Sequence, residues 1–322
     1  MFTYNKLDTS MDVDYLLSYN ERERHKINNL YPYSRYDNII TANPFKLKTV
    51  SEPKTYIDNY SDDEYKDDSL HYERIPIFCP ISESLVIRAN APVLKDDTYG
   101  YVHATPYEYN DITYYAAQCP RQDDMILFLT MLFQANIHII CITTDLIDKN
   151  KTLDWIPNEK ITTKNYHNYH IDYLDSIIIK TSELSSESIT IYDLNLWTQL
   201  GDEKINHNLK VFKYNNWIDK SEPKDFDTYI KYVDVIRDFI KNDTTKSNIL
   251  IHCSAGIGRT GILLTSLLMY DKLFEIKSKE LVREYTFNLI NEFRKTRFLV
   301  QLNGQFEFVI KYLENLFDKI NK

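Results

Sequence analysis

The chain has 322 residues, with 47 acidic against 38 basic side chains, a net charge of −9 and 43% apolar content. It is globular in composition, long enough for a sizeable core, and too acidic for sequence-independent nucleic-acid binding, which needs basic stripes. No apolar run approaches the ~20 residues that span a bilayer, and the polar N-terminus (MFTYNKLDTSMDVDY) does not read as a secretory signal.

Residues 1–30 read as a polar extension with helical charge patterning. From Val50 to Tyr72 the sequence is acidic and tyrosine-rich without helical or strand periodicity, so an exposed loop insertion is expected over about 47–75. Ile75–Val93 alternates short apolar pairs with prolines and suggests edge strands. Within Asp123–Asn136, Met125, Phe128, Leu129, Leu132 and Phe133 recur at helical spacing, and Ile137–Thr143 reads as a buried strand. Ser176–Thr181, Ser188–Leu194 and Lys210–Tyr214 read as further strands, followed by an amphipathic helix over Phe226–Ile240. A polar turn then leads to a short apolar strand, Asn248–His252, and to helical patterns at Arg259–Phe274, Leu281–Arg294 and Gln305–Ile320. Strands that precede and alternate with helices make an α/β class with a mixed sheet. Four cysteines without CxxC spacing (Cys79, Cys119, Cys141, Cys253) read as reduced thiols of a cytoplasmic compartment, with secretion into a host cell as the other reading.

Glycine is scarce, with 6 residues where average usage gives about 22. Gly256, Gly258 and Gly261 stand together in Cys253-Ser254-Ala255-Gly256-Ile257-Gly258-Arg259-Thr260-Gly261, between a strand and a helix. They fit GxGxxG, but that dinucleotide fingerprint belongs in an early βαβ unit with an acidic residue about 20 positions on. Here the loop lies late in the chain and helix follows helix. A second reading uses the cysteine and arginine as well. A strand–loop–helix turn aims successive backbone N–H groups into a concave anion site at a helix N-terminus. The amides of Ser254, Ala255, Gly256, Ile257 and Gly258 would then close on an oxyanion, and Arg259 would grip two of its oxygens. The same field lowers the pKa of Cys253 and makes it a nucleophilic thiolate, with Thr260 placed to hydrogen-bond the sulfur. A cysteine without that arginine and threonine would read as an inert buried thiol, and the glycines as a turn.

HCSAGIGRTG resembles the signature of the protein tyrosine phosphatases, the cysteine-based, tyrosine-specific receptor and non-receptor type; looser motifs follow in the family's order from about Arg35 to Phe308. The resemblance implies one catalytic domain over 31–322, a twisted mixed β-sheet flanked by helices. Arg35-Tyr36-Asp37-Asn38-Ile39 is similar to the family's phosphotyrosine-recognition loop. That implies Tyr36 stacking on the substrate ring, and Asn38 standing where the family usually has an aspartate for the substrate backbone. Tyr101-Val102-His103-Ala104-Thr105 and Tyr115-Ala116-Ala117-Gln118-Cys119-Pro120 resemble structural segments, with Cys119 in place of glycine. Trp217-Ile218-Asp219 resembles the mobile Trp-Pro-Asp loop, with isoleucine for proline and Lys220-Ser221-Glu222-Pro223 where Gly-Val-Pro follows the aspartate. Arg294–Gln305 resembles the late glutamine loop, with Gln301 as the water-positioning residue, Gln305 as a second glutamine, Arg297 as structural and Phe298 narrowing the rim. Asp145–Lys151 is the region that would support the active-site arginine, through Asp148 and a neighbouring lysine.

The resemblance implies two-step phosphoryl transfer without metal or cofactor. Cys253 attacks phosphorus, Arg259 and the loop amides hold its oxygens, and Asp219 protonates the leaving tyrosine. Gln301 and Asp219 then direct water onto the phosphocysteine. Partners would be phosphotyrosine-containing proteins, not nucleic acid, and the chain is expected to be a monomer. Two rivals remain at this level: a phosphotyrosine-binding pseudophosphatase, motivated by the Trp-Ile-Asp loop and Asn38, and a dual-specificity phosphatase, disfavoured by Tyr36 and the long chain.

Overall fold

A computed structural model describes residues 45–47, 100–102, 104–122, 125–146, 152–200, 202–294, 296–297 and 299–321. The N-terminal extension, Tyr36 and Asn38, the acidic stretch 51–72, the strands expected over Ile75–Val93, and Asp148 and Phe298 lie outside the described residues.

A short antiparallel pair, β1 (Phe45–Leu47) and β2 (Gly100–Val102), matches Phe45 with Val102. The main sheet has eight strands: β3 (Ala104–Tyr109), β4 (Ile112–Ala117), β5 (Ile137–Ile142), β6 (Thr163–Tyr166), β7 (Tyr169–Ile179), β8 (Ser188–Leu200), β9 (Glu203–Asn215) and β10 (Asn248–His252). Their spatial order is β3-β4-β10-β5-β9-β8-β7-β6. The central strands β4, β10, β5 and β9 run parallel, while β3 at one side and β8, β7 and β6 at the other are antiparallel. The mixed sheet of the expected α/β class is therefore present.

Five helices complete the described fold: α1 (Met125–Gln134), α2 (Phe226–Asn242), α3 (Gly258–Lys272), α4 (Lys279–Arg294) and α5 (Asn303–Ile320). Side chains alternate across a strand, so β10 feeds two cores. Ile249 and Ile251 pack with α2, α3, α4 and α5 residues such as Tyr229, Leu264, Val282 and Leu313. Leu250 faces the other way, into a cluster with Phe128, Leu129, Leu132 and Phe133 of α1. Burying such side chains contributes about 1.5–3 kcal/mol each relative to exposure. Helix α3 is buried from Gly258 to Met269, which explains why its sequence shows no polar face. Helix α2, by contrast, starts at an Asp225 N-cap whose side chain accepts from the Thr228 amide at 3.1 Å.

Three strands extend beyond what their apolar content suggests. Expected over Lys210–Tyr214, β9 begins at Glu203, and β8 runs on to Leu200. The added half of β9 is mostly exposed and polar, so periodicity gives no signal there; thirteen-residue pairing with β8 supplies its hydrogen bonds. Likewise β7 starts at Tyr169 rather than Ser176, because β6, with its exposed Thr163 and Asn165, pairs with its first residues.

Candidate active site

Strand β10 ends at His252, and the loop Cys253–Ile257 turns into the N-terminus of α3. Four of its five carbonyls, those of Ser254 to Ile257, are taken by donors from outside the loop. Ser254 O accepts from Cys119 N at 3.0 Å, and Ala255 O and Gly256 O accept from the Arg297 guanidinium at 3.0 and 2.6 Å. Ile257 O accepts from Gly261 N at 2.9 Å and from Val300 N at 3.3 Å. In a trans peptide the N–H lies opposite the preceding C=O. Turning the carbonyls outward therefore aims the next amides inward, and Gly256 N–H meets Cys253 Sγ at 3.1 Å. Gly256 has φ of +72°, and a Cβ there would lie 2.0 Å from the Ala117 carbonyl oxygen, so this position accepts only glycine.

Cys253 is 3% exposed. Burial pushes its thiol up, but the Arg259 charge, the Thr260 hydroxyl and amide, and the Gly256 amide outweigh it, leaving the pKa below the ordinary cysteine value. The Thr260 hydroxyl is buried, with the sulfur as the group it acts on. His252 is fully buried, its Nδ1 at 3.2 Å from the Cys253 carbonyl and its ring near Phe128 and Trp155.

Arg259, 4% exposed, divides its guanidinium between two groups of one loop. Nη1 donates to Trp217 O at 2.8 Å, and Nη2 to Asp219 Oδ1 at 2.6 Å. Trp217 is buried, with its indole N–H on Ser221 O at 3.0 Å, whereas the Asp219 side chain is 55% exposed. From the other side, Gln305 Oε1 accepts from the amides of Gln301 and Leu302 at 3.0 and 3.2 Å, capping α5. Its Nε2 lies 2.6 Å from where a Cβ on Gly258 would stand, so the absence of a side chain at Gly258 lets Gln305 reach the loop. Arg294 donates to the carbonyls of Leu299 and Val300 and supports that segment.

Asp219, Lys220, Cys253, Ala255, Ile257, Gly258, Arg259, Gln301 and Gln305 line one pocket. Ser254, Gly256 and Thr260 are not among the lining residues, and Tyr36 and Asn38 lie outside the described residues. Asp145 does not pair with Arg259. It accepts from Asn216 N at 3.2 and 3.1 Å and lies 3.9 Å from Lys213 Nζ, while the carboxylate on Arg259 is that of Asp219. Sequence reasoning missed Glu187, a buried carboxylate beneath the Trp217–Lys224 loop. It sits in Ser-Ser-Glu-Ser, which carries no signal beyond that of a solvated turn. Arg294 was also overlooked, being one basic residue among several at a helix end.

A family model described as protein-tyrosine phosphatase matches residues 70–315. The human receptor-type tyrosine-protein phosphatase eta is 26% identical over 230 residues, covering 70% of this chain and 16% of that protein. Rat tyrosine-protein phosphatase non-receptor type 20 is 26% identical over 240 residues, covering 70% of this chain and 51% of its own length. The chain thus spans at most about half the length of these curated relatives. A solved structure described as "Structural basis of PTPN18 fingerprint on distinct HER2 tyrosine phosphorylation sites" superposes with a TM-score of 0.54 at 19% identity, covering 68% of this chain and 74% of that one. That likeness concerns the fold. With the family model spanning most of the sequence, the chain belongs to the protein-tyrosine phosphatase family.

Proposed function

We propose that this chain hydrolyses phosphotyrosine in proteins through a phosphocysteine intermediate. The observation that carries the reading is the meeting of a buried, low-pKa Cys253 with Arg259, whose guanidinium also holds the loop bearing Asp219. The Cys253 thiolate attacks phosphorus in line as the bond to the tyrosine oxygen breaks. Arg259 and the inward amides of residues 255–258 hold the equatorial oxygens. In the resting site the Asp219 carboxylate occupies Arg259 Nη2; an incoming phosphoryl group takes that donor, and the released carboxylate takes up a proton from solvent and turns toward the leaving oxygen. Asp219 delivers its proton to that oxygen, so tyrosine departs as the neutral phenol.

In the second step Gln301 places a water against phosphorus, Asp219 removes its proton, and the sulfur–phosphorus bond breaks. Inorganic phosphate leaves, and the thiolate is restored with Thr260 beside it. Tyr36 stacking on the substrate ring and Asn38 contacting its backbone belong to the same reading, as does a catalytic domain over 31–322. A monomer in a reducing compartment suits a nucleophile that must remain a thiolate; Cys119, Cys141 and Cys253 are all unbridged. Among the described residues no helix is long and apolar enough to cross a membrane.

The test is phosphate release from matched phosphotyrosine and phosphoserine peptides by the purified chain. Release from phosphotyrosine in many-fold excess over enzyme, with kcat/KM at least about 10²-fold above phosphoserine, is the expected result. Tight binding of the phosphotyrosine peptide without release would identify a binding module instead.

A further inference from the structure

The loop that carries Asp219 leaves β9 and reaches α2 through two hinges, and each hinge ends on a carboxylate. At the leading hinge Asn216, with φ of +63°, donates its amide to Asp145. At the trailing hinge the acceptor is Glu187, 1% exposed and contributed by the connection between β7 and β8. Its Oε1 accepts from Lys224 N at 3.0 Å; its Oε2 accepts from Asp225 N at 2.7 Å and from the Tyr214 hydroxyl at 2.7 Å. A single carboxylate therefore ties together the end of β9, the last residues of the loop and the N-cap of α2.

Between the hinges the loop is braced internally. The Trp217 indole donates to Ser221 O at 3.0 Å, and the Ser221 hydroxyl donates to Ile218 O at 2.8 Å. The segment is thus tied to itself, and its outside contacts lie at its two hinges and at Arg259. Tyr214 also packs edge-on against Trp217, with ring centroids 5.2 Å apart. Hydrogen bonds to a buried charge are shorter and stronger than neutral ones, and three converge here. Ile218 and Lys220-Ser221-Glu222 occupy the positions where the sequence departs from proline and glycine, so the stiffness of the hinge has to come from outside the loop.

We propose that Glu187 is a positioning residue for Asp219, fixing the trailing hinge so that the acid stands on Arg259 at the mouth of the pocket. The proposal rests on the reading of Asp219 as the general acid. Glu187 touches neither substrate nor the reacting atoms; it acts through the backbone of Lys224 and Asp225.

The experiment compares the unaltered chain with Glu187→Gln, Tyr214→Phe and Asp219→Asn on aryl monophosphates whose phenols differ in acidity. Thermal unfolding is recorded for each. A placed acid neutralises the leaving oxygen, so the rate depends little on the phenol; a displaced acid leaves charge on that oxygen, and poor leaving groups suffer most. In Glu187→Gln one amide or hydroxyl donor loses its acceptor. The expected result is a drop in kcat/KM of roughly 10-fold or more with phenyl phosphate and under about 3-fold with 2,4-dinitrophenyl phosphate. Tyr214→Phe should follow in the same direction with a smaller drop, and it decides the matter if Glu187→Gln does not fold. An equal fractional loss on every substrate, or none, alongside a steep leaving-group dependence in Asp219→Asn, overturns the proposal. If Asp219→Asn itself keeps the shallow dependence, the assignment of the acid has failed instead.

Discussion

The loop around Cys253 and the loop around Asp219 face each other across one pocket and are built by opposite means. The Cys253 loop is held through its backbone. The carbonyls of Ser254 to Ile257 are fixed by Cys119 N, Arg297, Gly261 N and Val300 N, and Gly256 admits no side chain. The Asp219 loop is held mainly by side chains, from Asp145 and Glu187 at its ends and Arg259 at its middle, and it leaves Ile218 51% exposed. Under the proposed mechanism the contrast follows from what each loop must do. Stabilising charge on phosphorus requires dipoles that are already in place and do not reorganise. Admitting a phosphotyrosine and releasing phosphate requires a segment that can leave and return, and side-chain hydrogen bonds break and re-form more readily than a buried backbone.

The sharpest way to separate the two regions is to remove the nucleophile. Cys253→Ser should lower turnover of a phosphotyrosine peptide by about 10⁴-fold or more while leaving the cradle able to bind it. Steady-state phosphate release together with peptide titration by calorimetry measures both halves. Loss of binding along with turnover would mean that the cradle depends on the sulfur. Asp219→Asn comes next, with an expected fall in kcat of ~10²–10⁴-fold and little change in KM, because asparagine still offers Arg259 an acceptor. Steady-state kinetics on the same peptide checks it.

The electrostatics of the cradle gives a third test. The folded thiol titrates below its ordinary value even though burial raises it, because Arg259, Thr260 and the Gly256 amide prevail. The thiolate therefore persists to lower pH than an ordinary cysteine's and is lost as pH falls through the depressed pKa. Iodoacetamide alkylation of Cys253 against pH should show a midpoint under 9.0, the reference for an unperturbed thiol. Arg259→Met should move that midpoint upward, since burial is then opposed by the hydrogen bonds alone. An unmoved midpoint would assign the effect to the amides. The smallest effect is expected from Asp145→Asn. It keeps one acceptor for Asn216 at a partly exposed hinge and should cost only about 2- to 5-fold in kcat, read on a phosphotyrosine peptide.

The same contrast governs how much could be read in advance. Residues of the cradle are contiguous, and cysteine, glycines and arginine at fixed spacing between an apolar strand and an apolar helix state their chemistry without a fold. Asn248–His252 matches its strand end to end, because four buried residues after a polar turn leave little ambiguity. The acid loop is different. Asp219 is legible only beside Trp217, and the groups that hold it are scattered. Glu187 stands more than thirty residues upstream in a serine-rich turn, and Asp145 follows β5. Their roles arise from the sheet order that sets β5, β9 and β8 side by side, a long-range pairing that no local pattern encodes. For the same reason the polar half of β9 was invisible, since its strand character comes from β8 rather than from its own side chains.

Strand β10 has a parallel neighbour on each side and core on both faces. Amides so placed are expected at the high-stability end of the range of local openings, where exchange with solvent requires something close to global unfolding. Cys253, the proposed nucleophile, directly follows that strand. Fraying of loops or of the outer strands β6 and β7 can proceed without displacing it. Warming should accordingly erode the placement of Asp219 gradually, while the anion site persists until the whole domain melts.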